Sequence, residues 1–100
     1  MPEINLENRN ENKIQPKKPK MWKVIFLNDD YTPFEFVVSV LLNFFNKTFD
    51  EASALTMQIH QKGSGVAGVY TFEVAETKQY LTMEAARQNG YPLLVKIEEE

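Results

Sequence analysis

Apolar residues occur along the chain with two different spacings, and the first of these predicts strands. Met21–Leu27 is rich in β-branched and aromatic residues and has Lys23 as its single charge, which predicts a well-buried first strand. Val66–Val74 alternates between apolar and other residues and predicts a second strand, in which Gly68 indicates a bulge or a close backbone approach. Leu93–Ile97 predicts the third strand.

The residues after the first strand carry the second spacing, which is that of a helix. We predict that this helix has Thr32 as its N-cap, Pro33 in its first position and Glu35 completing a capping box. The residues that recur at helical spacing are Phe34, Val37, Val38, Leu41, Leu42 and Phe45.

Two further helices are predicted from capping residues and glycines. A capping box at Thr48–Glu51 starts the second helix, and Gly63 and Gly65 provide its end. Its apolar stripe consists of Ala52, Leu55 and Ile59, with Met57 beside it. The third helix is expected to begin near Ala75–Glu76 and to end at Gly90.

The predicted order of elements is β-α-α-β-α-β, which indicates an α+β fold. We expect a two-layer sandwich in which three helices cover one face of a three-stranded, mainly antiparallel sheet. One helical crossover would join the second and third strands. Residues 21–100 would form this single domain.

Residues 1–20 differ in composition from the rest and are predicted to be a disordered tail, because they contain too few large apolar residues to offset the entropy of ordering. Five basic and three acidic residues give this tail a charge of +2, so with a total of −3 the remaining residues carry −5. An acidic domain argues against nucleic acid as the main partner.

The composition restricts the chemistry that the chain can support. It contains no cysteine, which excludes disulfides and thiolate metal sites. Neither a membrane-spanning apolar run nor an apolar signal-peptide core is present in the sequence. We therefore expect a soluble, cytoplasmic protein that does not act at a membrane and needs no cofactor.

The polar triplet Asn28, Asp29 and Asp30 follows the first strand and has two interpretations. Asn and Asp often satisfy backbone donors in turns with their own side chains. The alternative is a cluster of acceptors for an ammonium group or a metal. His60, the single histidine, lies in the last turn of the second helix and is either an idle surface residue or part of such a cluster. One His with Asn and Asp is a poor ligand set for zinc.

No catalytic constellation is evident from local spacing. One alternative is a small acid–base enzyme that uses Asp29, Asp30 and His60, although no residue is evident that would orient them. Another is a structural interaction domain of a larger assembly. Glu73 and Lys78, at the start of the third helix, are by default solvated residues.

Two segments resemble the signature of the ClpS family, the bacterial adaptors of the Clp AAA+ protease. These segments are Lys23–Val37 and His60 with Gly68–Lys78, and Tyr91–Leu94 is also similar. The resemblance covers about residues 20–98. It implies a non-enzymatic adaptor for N-terminal degradation signals, which binds proteins that begin with Leu, Phe, Tyr or Trp.

The same resemblance implies roles for individual residues. Asn28, Asp29 and His60 would accept hydrogen bonds from the free α-amino group of the substrate, and Asp30 and Thr32 would order the pocket wall. The residues that would line or gate the apolar pocket are Phe34, Val37, Thr56, Met57, Ile59 and Leu93. The family pattern usually has Met where this chain has Phe34, and often Met where it has Thr56, which predicts a reshaped pocket.

The resemblance also implies the partners. Glu73 and Lys78 occupy positions that the family uses for docking on a ClpA-type AAA+ unfoldase. The tail would be fed toward the protease machinery and would be needed for delivery. We expect a monomer when the protein is free.

Overall fold

The structure, a computed structural model, describes residues 18–100. The bounds of its elements are β1 Trp22–Leu27, α1 Phe34–Phe44, α2 Phe49–Lys62, β2 Ser64–Tyr70, α3 Phe72–Gln88 and β3 Leu94–Glu99. This is the predicted order. Residues 1–17 of the predicted tail lie outside the described residues. Within residues 18–100, no helix combines the length and the apolar character that a membrane crossing requires.

The sheet has the order β2-β1-β3, and β1 pairs antiparallel with both neighbours. Because β1 is the central strand, its residues Val24 and Phe26 are fully buried. Both belong to one core with Val37 and Leu41 of α1 and Ala75 of α3. The predicted α+β fold is confirmed, with α3 as the crossover between β2 and β3.

The boundary between the second strand and the third helix was predicted wrongly. The strand ends at Tyr70, and α3 begins at Phe72 after the extended N-cap Thr71, whose carbonyl accepts from Ala75 N at 2.9 Å. The alternating apolar residues that suggested a longer strand lie in the first turn of α3, where Val74 is exposed. Phe72 packs edge-on against the ring of Trp22, with centroids 5.0 Å apart.

The predicted start of the first helix was also wrong in detail. The N-cap is Pro33, no side chain caps the helix, and Pro33 O accepts from the backbone nitrogens of Phe36 and Val37. The hydroxyl of Thr32, the predicted cap, instead donates to Asp29 Oδ2 at 2.8 Å. The side chain of Thr32 therefore organises the loop before the helix.

The second helix begins as predicted. Thr48 and Glu51 form both bonds of the capping box, at 2.9 and 3.1 Å. Gly63 ends the helix in the left-handed region at φ 93°, whereas Gly65 already belongs to β2. The third strand runs from Leu94 to Glu99, one residue later at its start and two later at its end than predicted.

Gly68 marks a bulge in β2, as the sequence indicated. Val24 pairs with Gly68 but the next residue, Ile25, pairs with Val66, so one residue of β2 is extra. The ring of Tyr70 lies so close to Gly68 that a Cβ atom there would overlap it. The absence of a side chain at Gly68 therefore allows Tyr70 to fold back over β2.

Thr82 on α3 provides a stability prediction. Its side chain is fully buried, and its hydroxyl has no hydrogen-bond partner among the described residues. Thr82→Val removes this unpaired polar group at constant shape and should raise the free energy of unfolding by about 1 kcal/mol. Thermal unfolding measures this, and Thr77→Val is the matched control, because the Thr77 hydroxyl is exposed and bonded to Glu73 O. An equal gain in both variants would contradict this explanation.

Candidate functional site

A cavity of about 440 Å³ lies where β1 ends, between the start of α1, the second half of α2 and the loop before β3. Its lining residues are Leu27, Asn28, Asp29, Asp30, Thr32, Phe34, Val37, Thr56, Met57, Ile59, His60 and Leu93. The structure thus brings together every residue that the sequence assigned to α-amino binding or to the pocket. Sequence reasoning missed Leu27, although its place directly before Asn28 could have indicated it.

The Asp29 carboxylate organises the loop between β1 and α1. Its Oδ1 accepts from the backbone nitrogens of Tyr31 and Thr32 at 2.8 and 2.7 Å, and its Oδ2 accepts from the Thr32 hydroxyl at 2.8 Å. The turn interpretation of the polar triplet therefore holds for Asp29. A carboxylate offers about four acceptor sites, so these three bonds leave one for a ligand.

Asp29 also keeps its negative charge. Partial burial disfavours the charged form, but the bonds from the Thr32 and Tyr31 backbone and from the Thr32 hydroxyl outweigh it, so the pKa of Asp29 is lowered. This carboxylate is therefore ionised at neutral pH and can attract a cation.

A backbone hydrogen bond links the two segments that carry the other acceptors, Asn28 and His60. Asn28 N donates to Gly63 O at 2.9 Å, which ties the loop after β1 to the end of α2, where His60 lies in the last turn. Both Asn28 and His60 are exposed, and among residues 18–100 no hydrogen bond involves either side chain. Their acceptor atoms are therefore available to a ligand.

The remainder of the cavity is mainly apolar. Val37, Ile59 and Leu93 are almost completely buried, whereas Phe34 and Met57 are 40% and 43% exposed and therefore lie at the rim. These exposures give the mixture of buried and half-exposed apolar residues that a binding groove requires.

Thr56 contributes less polarity to the cavity than its hydroxyl suggests. The Thr56 hydroxyl donates to Ala52 O at 2.7 Å within α2, and the residue is buried. Because this hydroxyl is already bonded, the cavity needs no polar ligand group beside it.

Glu73 and Lys78 lie on α3 and outside the cavity. Glu73 is exposed, but Lys78 is half-buried. The Lys78 ammonium donates to Phe44 O at 2.5 Å and lies over the rings of Phe45 and Tyr70, 5.6 and 5.3 Å from their centroids. Lys78 therefore has internal partners, which the sequence did not indicate.

The arrangement suits a ligand that joins a small cation to an apolar side chain. The lining combines acceptor side chains and a negative charge with apolar side chains. Among residues 18–100, no three His, Cys, Asp or Glu side chains come together in a way that could hold a metal ion.

Fold and cavity together define the class: a small α+β domain whose cavity combines acceptor side chains and a negative charge with an apolar lining. The chain belongs to the ClpS family, because residues 17–96 match the family model described as "ATP-dependent Clp protease adaptor protein ClpS". The resemblance noted from the sequence is thereby confirmed, and the family is one of Clp protease adaptors.

Similar proteins cover most of the chain. The ClpS adapter of Gluconobacter oxydans is 56% identical over 84 residues, which are 84% of this chain and 71% of that protein. The ClpS adapter of Rhodospirillum centenum is 52% identical over 88 residues, 88% of this chain and 82% of that protein. The solved structure of Agrobacterium tumefaciens ClpS2 bound to L-phenylalaninamide has a TM-score of 0.81 and 40% identity, covering 83% of this chain and all of that one.

Proposed function

We propose that this protein binds N-terminal degradation signals and delivers the proteins that carry them to a ClpA-type AAA+ unfoldase of the Clp protease. The signal is a free α-amino group on a first residue Leu, Phe, Tyr or Trp. The observation that carries this proposal is the cavity, which places Asn28, Asp29 and His60 beside an apolar lining.

The chemistry of such a signal matches the cavity. An α-ammonium group is a cation with three donors, and Asn, Asp and neutral His supply acceptors. Charge-assisted hydrogen bonds contribute about 1.5–3 kcal/mol each, and burying a Leu or Phe side chain contributes about 1.5–3 kcal/mol. After the cost of association, micromolar or tighter binding is expected. The ligand of the Agrobacterium relative supports this, since it joins an amino group to a phenyl side chain.

The lowered pKa of Asp29 argues against the alternative of an acid–base enzyme. An acid catalyst would need a carboxyl group that holds its proton near neutral pH, which calls for a raised pKa. Burial opposes the ionisation of Asp29, but its three hydrogen bonds outweigh burial and lower the pKa. The site therefore favours binding over proton transfer.

Fluorescence anisotropy with two labelled peptides tests the proposal. One peptide begins with a free Leu or Phe, and the other is identical but N-acetylated. The proposal requires micromolar or tighter binding of the free peptide and none of the acetylated peptide, which has lost the charge. Equal affinities, or no binding of either by folded protein, would refute it.

Delivery is the second part of the proposal. Glu73 is exposed in the first turn of α3 and is free of the cavity, so it could contact the unfoldase while a substrate is bound. The tail would take part in delivery. The expected monomeric state and cytoplasmic location remain predictions of the sequence.

Binding should depend on the acceptor atom of His60. The imidazole is exposed and has no hydrogen bond among residues 18–100, so a ring nitrogen can accept a hydrogen bond from the α-ammonium group. His60→Ala removes this acceptor and should weaken binding by about tenfold, whereas His60→Gln keeps an acceptor and should retain most of the affinity. The dissociation constants of both variants, measured at one pH, test this. Unchanged affinity in His60→Ala would show that His60 takes no part in recognition.

The ranking of first residues should depend on Thr56. Thr is shorter than the Met that the family often has here, which leaves room at the base of the cavity. Thr56→Met should therefore weaken binding of Trp-initial peptides several-fold relative to Leu-initial ones. Peptides that differ only in the first residue measure this, and Phe34→Met tests the rim separately. A ranking that neither variant changes would remove both positions as its cause.

A further inference from the structure

A second cavity, of about 290 Å³, lies between α1 and α2 on the outside of the helical layer. Its apolar residues are Phe34, Val38 and Leu42 of α1 and Phe49 of α2, which we call the α1–α2 groove. Three of these are large and exposed: Phe34 by 40%, Leu42 by 37% and Phe49 by 65%. Glu35 is the only charged residue in its lining.

The α1–α2 groove adjoins the candidate site. Phe34 lines both cavities and lies between them at the rim. A peptide whose first side chain fills the site and whose main chain leaves across Phe34 continues into the α1–α2 groove. L-phenylalaninamide, the ligand of the Agrobacterium relative, is a single amino acid whose amide stands for the first peptide bond, so it leaves this path unexplored.

The dimensions of the α1–α2 groove fit a short extended segment. Phe34, Val38 and Leu42 are spaced four residues apart and form one row along α1. The row is about 12 Å long at ~1.5 Å per residue. An extended peptide spans at most about 3.3–3.6 Å per residue, so three or four residues cover it.

The volume of the α1–α2 groove limits what can occupy it. At about 290 Å³ it is slightly smaller than a typical small-molecule pocket, which starts near ~300 Å³. It therefore has room for one or two side chains. A second copy of the chain would need about 20–30 residues on each side of a stable interface, whereas seven residues line the groove.

We propose that the α1–α2 groove is a second specificity site, which binds an apolar side chain from the third to fifth residue of a substrate. This rests on the proposed function, because the first residue of the same substrate must occupy the candidate site. Leu42 and Phe49 are then specificity-determining residues.

Peptides of constant first residue test this proposal. Each begins with Leu and continues with Ser, and a single second Leu is moved from position 2 to position 5. Fluorescence anisotropy gives the ratio of dissociation constants between the all-Ser peptide and each Leu-substituted one. We expect affinity to increase about fivefold when the second Leu is at one of positions 3 to 5. The reason is that a half-buried Leu side chain contributes part of its transfer free energy to binding.

The same ratio is then measured in variants. Leu42→Ser and Phe49→Ser should each bring this ratio of dissociation constants to about one. Leu81→Ser is the matched control, since Leu81 is 41% exposed on α3 and lines neither cavity, and it should keep the gain. A gain that survives both groove variants would overturn the proposal.

The remaining outcomes are distinguishable. Equal binding of all free-amine peptides, with no binding of their acetylated forms, would overturn the second site and leave the proposed function intact. Failure of every free-amine peptide would overturn both. A dimer in sedimentation that Phe49→Ser abolishes would assign the α1–α2 groove to a second copy and overturn the proposal.

Discussion

Replacement of Asp29 by Ala is expected to weaken binding of a free N-terminal Leu or Phe peptide by at least a hundredfold. The carboxylate accepts bonds from the Tyr31 and Thr32 backbone and from the Thr32 hydroxyl, so its loss releases the loop that carries Asn28 and Asp30. It also removes the negative charge. The lost positioning of the loop and the lost charge-assisted hydrogen bond together should reduce the binding free energy by more than about 3 kcal/mol.

Asp29→Asn separates these two effects. Its amide oxygen can still accept the backbone bonds and its nitrogen can donate to the Thr32 hydroxyl, so the loop is retained while the charge is lost. We expect about a tenfold loss of affinity, measured by fluorescence anisotropy. Asp50→Asn, in the exposed first turn of α2, is the control. If Asp29→Asn bound as well as the parent, the charge of Asp29 would have no role in recognition.

The lowered pKa of Asp29 adds a pH dependence of stability. A carboxyl group with a folded-state pKa below its unfolded-state value stabilises the fold above the unfolded-state pKa. That contribution is lost as the pH falls through the folded-state pKa. Stability of the parent should therefore decrease in the acid range more than that of Asp29→Asn, as measured by thermal unfolding.

Replacement of Lys78 by Met should destabilise the fold by about 2 kcal/mol, which lowers Tm by roughly 8–16 °C for a domain of this size. The variant keeps an unbranched side chain but removes the donor to Phe44 O at the end of α1. It also removes the cation from above the Phe45 and Tyr70 rings, an interaction of about 0.5–2 kcal/mol. Lys62→Met, at an exposed position, is the control and should change stability by less than about 0.5 kcal/mol.

This expectation matters for the proposed docking of the unfoldase. Because Lys78 links α3 to the end of α1 and to β2, weaker docking of a Lys78 variant would report partly on the fold. Glu73→Gln is the cleaner test, since Glu73 is exposed and its carboxylate has no hydrogen bond among residues 18–100. Docking that weakens in Glu73→Gln at unchanged Tm would support direct contact. Unchanged Tm in Lys78→Met would contradict its structural role.

Most of the fold could be predicted because local patterns determine it. The capping box of Thr48 and Glu51 and the left-handed Gly63 depend on neighbouring residues alone, and both were found where expected. Errors arose where two local structures competed. Phe72 and Val74 fit an alternating strand, but Thr71 starts a helix there, and Phe72 packs on Trp22.

The candidate site, like the fold, could be predicted from the sequence only in part. The segments Lys23–Val37 and His60 with Gly68–Lys78 together identified the family without a structure. Whether Asp29 served a turn or a ligand could not be decided from the triplet, because both uses require the same oxygens. The bonds of the loop show that Asp29 serves the turn while its charge and one acceptor site remain available.

The sequence by itself determined the order of the elements, the family and all the residues that line the cavity except Leu27. Only the tertiary structure decided which of those residues are exposed, that Lys78 bonds to Phe44 O, and that Phe34 is shared by two cavities. The physical reason is the range of the interactions. Spacing and capping act within about one helical turn, whereas exposure and the Lys78 contact depend on elements that are distant in the chain and adjacent only after folding.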